Sequence, residues 1–259
     1  MAERGRPQPG DRGGLARRRR RGASRGGGGG SANVFEAAAT SGCRRIVHAS
    51  SVAAYGYGVA CRLLTEDDPL RPIEAFTYSR TKGAAERALD AAIARHPSLE
   101  VVRLRPAIVL GPNNHDFLET VMRRRAVIRP GRGAGDMQFV HVDDVVNGFR
   151  LGVLGTASGA FNLAGSGTVS YEDLAVISGK RVVTVPVGAA LMGARAAERF
   201  RPAMGLDPGW VMIAQRPPLV AAERAERELG WTPAYTSREA VETFLRPTGA
   251  SVPVGGRVR

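Results

Sequence analysis

The sequence predicts an α/β fold with a parallel sheet and crossover helices. Three observations carry this. Helix-forming stretches alternate with short apolar runs from Ser31 onward. The runs are short and rich in Val, Ile and Leu, as in strands covered on both faces. The segments between them are long enough to hold a helix each, as parallel neighbours require.

Ser31 to Gly42 opens on an N-cap candidate, continues in helix formers and stops at glycine. Arg45 to Ser50 reads as a short buried strand, and Ala75 to Arg95 as a long helix. Leu99 to Arg105 is a second strand, ended by Pro106. Further along, the patterning predicts a helix at 116–125, a strand at 137–142 and a helix at 143–154. A strand at 160–163, a helix at 171–178 and a strand at 181–185 follow. Helices at 189–200, 221–229 and 237–245 complete the chain. The reading divides the chain into a disordered Arg/Gly-rich tail (1–30), a main domain (31–246) whose substrate-covering lobe lies mainly in 112–246, and a flexible tail (247–259).

Composition narrows the function. Of a net charge of +13, residues 1–30 supply nine Arg against Glu3 and Asp11, which leaves only +6 for the other 229 residues. That is a mildly basic domain, not a strong phosphate-binding field. Leu15 is the one large aliphatic residue in that stretch after Met1, too little apolar surface to offset the entropy of ordering. Lys82 and Lys180 are the only lysines among 37 basic residues, which makes Lys82 conspicuous. Cys43 and Cys61 form neither a disulfide framework nor a metal set, and Cys43 reads as a small core thiol. No run approaches the ~20 apolar residues of a membrane span. Arg17 to Arg21 are followed by no apolar stretch of a signal peptide. A cytoplasmic protein with reduced thiols is the simplest account.

Tyr78 and Lys82 lie four apart, on one face of the long helix. An ammonium beside a phenol favours the phenolate, so such a pair can exchange a proton with a substrate hydroxyl near neutral pH. Ser51 sits just past a strand, where ligands gather in open α/β sheets, and can hydrogen-bond the same oxygen. Tyr-x-x-x-Lys alone is a common chance spacing. His48 reads as a packed strand residue, Tyr55 and Tyr171 as structural, and Trp210 and Trp231 as packing residues. His141, Asp143 and Asp144 read as helix-capping and orienting groups rather than a metal site.

The surrounding sequence is more specific. Asn33 to Ala38, Arg45 to Gly56, Thr65 to Pro72, the Tyr78–Lys82–Glu86 helix, Arg105-Pro106 with Gly111-Pro112, Phe139 to Val145 and Glu228 to Pro233 follow in order. Together they resemble the extended short-chain dehydrogenase/reductase family, the NAD-dependent epimerase/dehydratase group, over residues 31–246. The resemblance implies a Rossmann-like fold, an NAD or NADP cofactor and hydride transfer at a substrate carbinol or carbonyl. It makes Tyr78 the acid/base, with Lys82 as its partner and a hold on the nicotinamide ribose. Ser51 then orients the reacting oxygen, and Ser50 and Pro106 lie beside the cofactor. Family members often pair through the helix bearing this tyrosine, which implies a homodimer.

The chain departs from that family in four places. No apolar strand precedes the glycines at 26–30, so the Gly-rich turn that holds the cofactor pyrophosphate has no counterpart. The expectation is a chain lacking the N-terminal cofactor-binding part. Ile108 stands where nucleotide-sugar epimerases commonly carry Asn, and Met137-Gln138 where they often carry Arg and Asp. Val52-Ala53 replace the acidic pair of sugar dehydratases. The substrate therefore stays open between a nucleotide sugar and another hydroxy or keto compound. Two other readings compete: a non-catalytic remnant that cannot hold cofactor, and an Arg/Gly-tail nucleic-acid binder.

Overall fold

The computed structural model describes residues 27–59, 61–112, 124–200 and 207–246. Residues 1–26 of the tail expected at 1–30, the terminal tail at 247–259 and most of the helix expected at 116–125 lie outside the described residues. The chain is mixed α/β, as expected. Helix α1 (Gly27–Thr40) begins four residues before Ser31, so the last glycines of the Gly run are helical. Strand β1 (Arg45–Ala49), helix α2 (Thr77–Arg95) and strand β2 (Glu100–Pro106) follow within a residue or two of expectation.

The central sheet is parallel, in the order β1-β2-β6, with β6 at Gly159–Leu163. Its two faces separate by alternation along the strands. Val101 packs with Phe35, Leu89 and Ala92 beneath α1 and α2. Val102 and Leu104 pack with Phe161, Leu163 and Trp231. Helix α3 (Val142–Leu154) lies on that second face, and its Gly148 and Gly152 permit the approach. A Cβ at Gly148 would stand 2.8 Å from Leu163, and one at Gly152 3.2 Å from both Val47 and Val102. Strand β2 is buried almost throughout, whereas β1 is only half-buried. Among the described residues β1 pairs with β2 alone, so the strand expected to be fully buried is an edge strand.

Two further parallel pairs build the lobe. Strand β3 (Ile108–Leu110) pairs with β5 (Phe139–His141), and β4 (Ala126–Pro130) with β7 (Arg181–Val185). Leu110, Val127, Phe139, Leu174 and Val241 share a second core with helices α4 (Tyr171–Ser178) and α7 (Ser237–Leu245). Both helices start on reciprocal caps, Ser170 with Asp173 and Thr236 with Glu239. Between them run α5 (Val187–Phe200) and the short α6 (Gly209–Ile213).

Some expectations are corrected. Strands β3 and β4 and helix α6 were not foreseen. The helix expected at 221–229 is mainly a π-type turn at Ala225–Leu229, after which Gly230 turns at φ 68°. Cys43 is exposed rather than a core thiol, because it sits in the turn after α1 and not inside β1. No described helix is long and apolar enough to cross a membrane.

Trp231 is fully buried, and its indole N–H donates to the Asp144 carbonyl at 2.8 Å. Trp231→Ala is expected to cost about 3–5 kcal/mol, read as a lower urea midpoint at unchanged slope.

Candidate active site

The candidate residues gather at the carboxyl ends of β1 and β2, where ligands bind in open parallel sheets. Strand β1 stops at Ala49, and Ser50 donates its backbone N–H to the Leu104 carbonyl at 2.8 Å. Ser51 is extended (φ −167°, ψ 152°) and caps a 3-10 turn at Val52–Tyr55, its Oγ accepting from the Ala53 N–H at 3.2 Å. The Ser51 hydroxyl keeps its own proton to donate. The chain then turns at Gly56, with φ 83° and the Arg71 carbonyl only 2.0 Å from where a Cβ would stand.

Helix α2 brings Tyr78, Lys82 and Glu86 onto one face at successive turns. Tyr78 is 38 % exposed. Lys82 donates from Nζ to the Ala49 carbonyl at 2.7 Å, which ties the helix to the end of β1, beside the two serines. The same Nζ lies 5.6 Å from the centre of the Tyr78 ring. Burial pulls the Lys82 ammonium below its ordinary pKa, with Glu86 pulling it back up. Pro106, the last residue of β2, is buried and in register with Leu163.

Beneath these groups runs a buried polar chain that sequence reading noticed only as family pattern. Glu86 is fully buried and accepts from Ser50 Oγ at 2.6 Å. Arg105 donates to its two oxygens from Nε at 2.8 Å and from a terminal nitrogen at 3.1 Å. The other terminal nitrogen of Arg105 donates to Tyr55 Oη at 2.8 Å, and Tyr55 donates to Asn162 Oδ1 at 2.9 Å. Burial disfavours the Glu86 carboxylate, but Arg105 and Ser50 outweigh it, and the group ends below the ordinary carboxylate range. Burial likewise opposes the Arg105 charge, and Glu86 more than restores it. Tyr55 is held up by burial, with Arg105 opposing. The available signal was spacing: Glu86 falls one turn after Lys82, between the apolar Ala85 and Leu89.

The residues near the expected substrate positions differ in role. Gln138 is buried and doubly bonded to Val220, its Oε1 accepting from N–H at 2.7 Å and its Nε2 donating to the carbonyl at 3.2 Å. It acts as a structural tie there. His141 caps α3 by accepting from the Asp143 N–H at 3.2 Å, and Asp144 accepts from Ala234 and Tyr235, as capping and orienting groups should. Among the described residues no three His, Cys, Asp or Glu gather as a metal site. Trp210 is more than packing: its ring stacks on Tyr78 at 5.7 Å and 28°. Two clefts, of about 420 and 390 Å³, lie elsewhere. The first is at the opposite end of the sheet, around Arg45 and Glu100, and the second borders Thr77 and Met212; neither is lined by Tyr78, Lys82 or Ser51.

Removing Glu86 would leave Arg105 buried without its partner. Glu86→Ala is expected to cost about 3–5 kcal/mol in urea unfolding. The Glu86 pKa is lowered by folding, so its stabilisation is full above the ordinary value of 4.5 and is lost as pH falls through the lower folded value. The wild-type urea midpoint should therefore hold from neutrality to about pH 5 and fall in more acid solution. Glu86→Gln should flatten that fall.

Comparison with known proteins agrees with this architecture. The profile described as the NAD dependent epimerase/dehydratase family matches residues 26–164. A UDP-glucose 4-epimerase from Thermotoga maritima, solved with UDP-glucose, superposes with a TM-score of 0.62 at 22 % identity, covering 83 % of this chain and 67 % of that one. MoeE5 in complex with UDP-glucose and NAD gives 0.64 at 26 % identity, covering 83 % and 68 %. A dTDP-glucose 4,6-dehydratase from Bacillus anthracis, in complex with NAD, gives 0.62 at 18 % identity, covering 83 % and 65 %. The chain thus spans about two thirds of the length of these structures. No curated protein matches it. The expected nicotinamide cofactor accords with the family's description and with the NAD in these neighbours. With more than half its length matched by that profile, and with the strand-end site and parallel sheet described above, the chain belongs to the NAD-dependent epimerase/dehydratase family.

Proposed function

We propose that the chain acts in NAD(P)-dependent oxidation and reduction of a small hydroxy or keto compound, with Tyr78 as the acid/base. The observation that carries the reading is Lys82, bonded to the end of β1 and set 5.6 Å from the Tyr78 ring. It puts a positive charge beside a half-exposed phenol at the strand ends, with Ser51, two residues past the Ala49 carbonyl that Lys82 holds, to donate to a substrate oxygen. As a carbinol becomes a carbonyl, Tyr78 takes the hydroxyl proton, and it returns that proton in the reverse direction. Accepting and returning the hydride is the chemistry that a bound nicotinamide supplies. Nucleotide sugars are the substrates named in the neighbouring structures and are the first class to try.

The residues present suit the nicotinamide end of such a cofactor: Tyr78 and Lys82 would hold the ribose, and Ser50 and Pro106 would lie beside the ring. Among the described residues none forms a glycine turn that would suit the pyrophosphate. The glycines in α1 line no turn, and Gly29 and Gly30 face open space with nothing within 4 Å of an added Cβ. That gap, with β1 unpaired on one side among the described residues, favours a second reading, a relative that keeps the tyrosine helix without turnover.

Titration with NADH and NADPH, followed by turnover of UDP-glucose as probe, separates the two. Binding and turnover support catalysis; no binding of either dinucleotide by the 259-residue chain would sink it. In an active chain, Tyr78→Phe should lower turnover by about 10²–10⁴-fold. Its unfolding free energy should stay within about 0.5 kcal/mol of wild type.

A further inference from the structure

We infer that Trp210 is a positioning residue for Tyr78, delivered by a clasp between the start of α6 and the start of α2. The inference rests on the acid/base reading of Tyr78. That tyrosine is only the second residue of α2, where little helix precedes it to confine its side chain. Its ring is bracketed instead by other elements. Trp210 stacks on it at 5.7 Å and 28°, Phe76 lies 6.0 Å away at 42°, and Lys82 Nζ stands 5.6 Å from its centre. Phe76 in turn meets Trp210 edge-on at 4.9 Å, so the three rings brace one another.

The clasp fixes the indole from two sides. Asp207 accepts from the Thr77 N–H at 3.3 Å and from the Gly209 N–H at 2.7 Å, joining the first amide of α2 to the first of α6. A carboxylate there also complements the positive end of α2. Gly209 admits no side chain, because a Cβ would fall 2.1 Å from the fully buried Phe76 ring. The lobe is thereby seated directly on the aromatic residue that precedes α2, and Trp210, next in sequence, is turned onto Tyr78. A phenol held in one orientation delivers its proton along one line, and orientation of this kind is a large part of rate enhancement.

The test uses the full chain as wild type, Trp210→Phe and Trp210→Ala. Nitration by tetranitromethane, mapped by peptide mass spectrometry, reports the freedom of each tyrosine. Tyr57, also 38 % exposed, is the internal reference. In Trp210→Ala the ratio of Tyr78 to Tyr57 nitration should rise by about two- to tenfold, the range that an aromatic-pair energy converts to. Trp210→Phe should restore it. In turnover of UDP-glucose with NAD, Trp210→Ala should lower kcat with KM little changed. An unchanged nitration ratio, an equal rise at both tyrosines, or an unchanged kcat each overturns the inference. Absence of NADH and NADPH binding by the wild type would instead overturn the acid/base reading, and is told apart because the nitration contrast would persist.

Discussion

The buried pair of Glu86 and Arg105 is the constraint on which the rest of the site depends. A carboxylate with no exposure is tolerable only when its charge and lone pairs are met, and here Arg105 and Ser50 meet them. Glu86 and those two partners sit on three different elements: α2, the end of β2 and the loop after β1. Satisfying Glu86 therefore fixes the helix against both strand ends at once. Lys82, one turn earlier, inherits its position at Ala49, and Pro106 follows directly from Arg105. Pairs of this kind add little stability compared with apolar packing, but they tolerate few alternative arrangements. A precise strand-end geometry is what a proton-transfer site needs.

The polar chain does not stop at the site. Through Tyr55 it reaches Asn162 on β6, whose backbone N–H donates to Glu66 at 2.7 Å and whose side chain donates to the Ala221 carbonyl at 3.1 Å. Gln138 makes a second tie to the same segment at Val220. The connection running back from the lobe is thus pinned to the sheet by side-chain amides. Each amide supplies a donor and an acceptor, as a strand backbone would.

The sequence was legible where local chemistry decides the structure. Helices α4 and α7 fall where the patterning put them, and in the structure the reciprocal caps of Ser170 with Asp173 and Thr236 with Glu239 fix their starts. Strands β1 and β2 showed because their Val, Ile and Leu runs are bounded by turns. Strands β3 and β4 did not, since three to five residues beside prolines and arginines carry no period of their own and are fixed by partners distant in sequence. The 221–229 segment carries helix formers, yet only its latter part coils. Tyr78 and Lys82 stood out through spacing and the neighbouring motifs. Glu86 and Arg105 were visible as residues, but a charge pair closing across 19 positions is a tertiary fact. Trp210 gave no local sign of its role, because its partner lies on a helix far earlier in the chain.

Strand β1 has one more consequence. Ser50 N–H bonds to Leu104, and the Arg44 carbonyl accepts from Glu100, so the even-numbered residues of this stretch turn their peptide groups toward β2. By the alternation of a strand, Arg45, Val47 and Ala49 turn theirs the other way, where no described strand receives them. Within one five-residue element, neighbouring peptide groups therefore answer to different partners, the even-numbered ones to β2 and the odd-numbered ones to no described strand. The floor beneath Ser50 and Ser51 is thus a strand laced to β2 along one side, while on the other its last carbonyl, that of Ala49, is held by the Lys82 side chain.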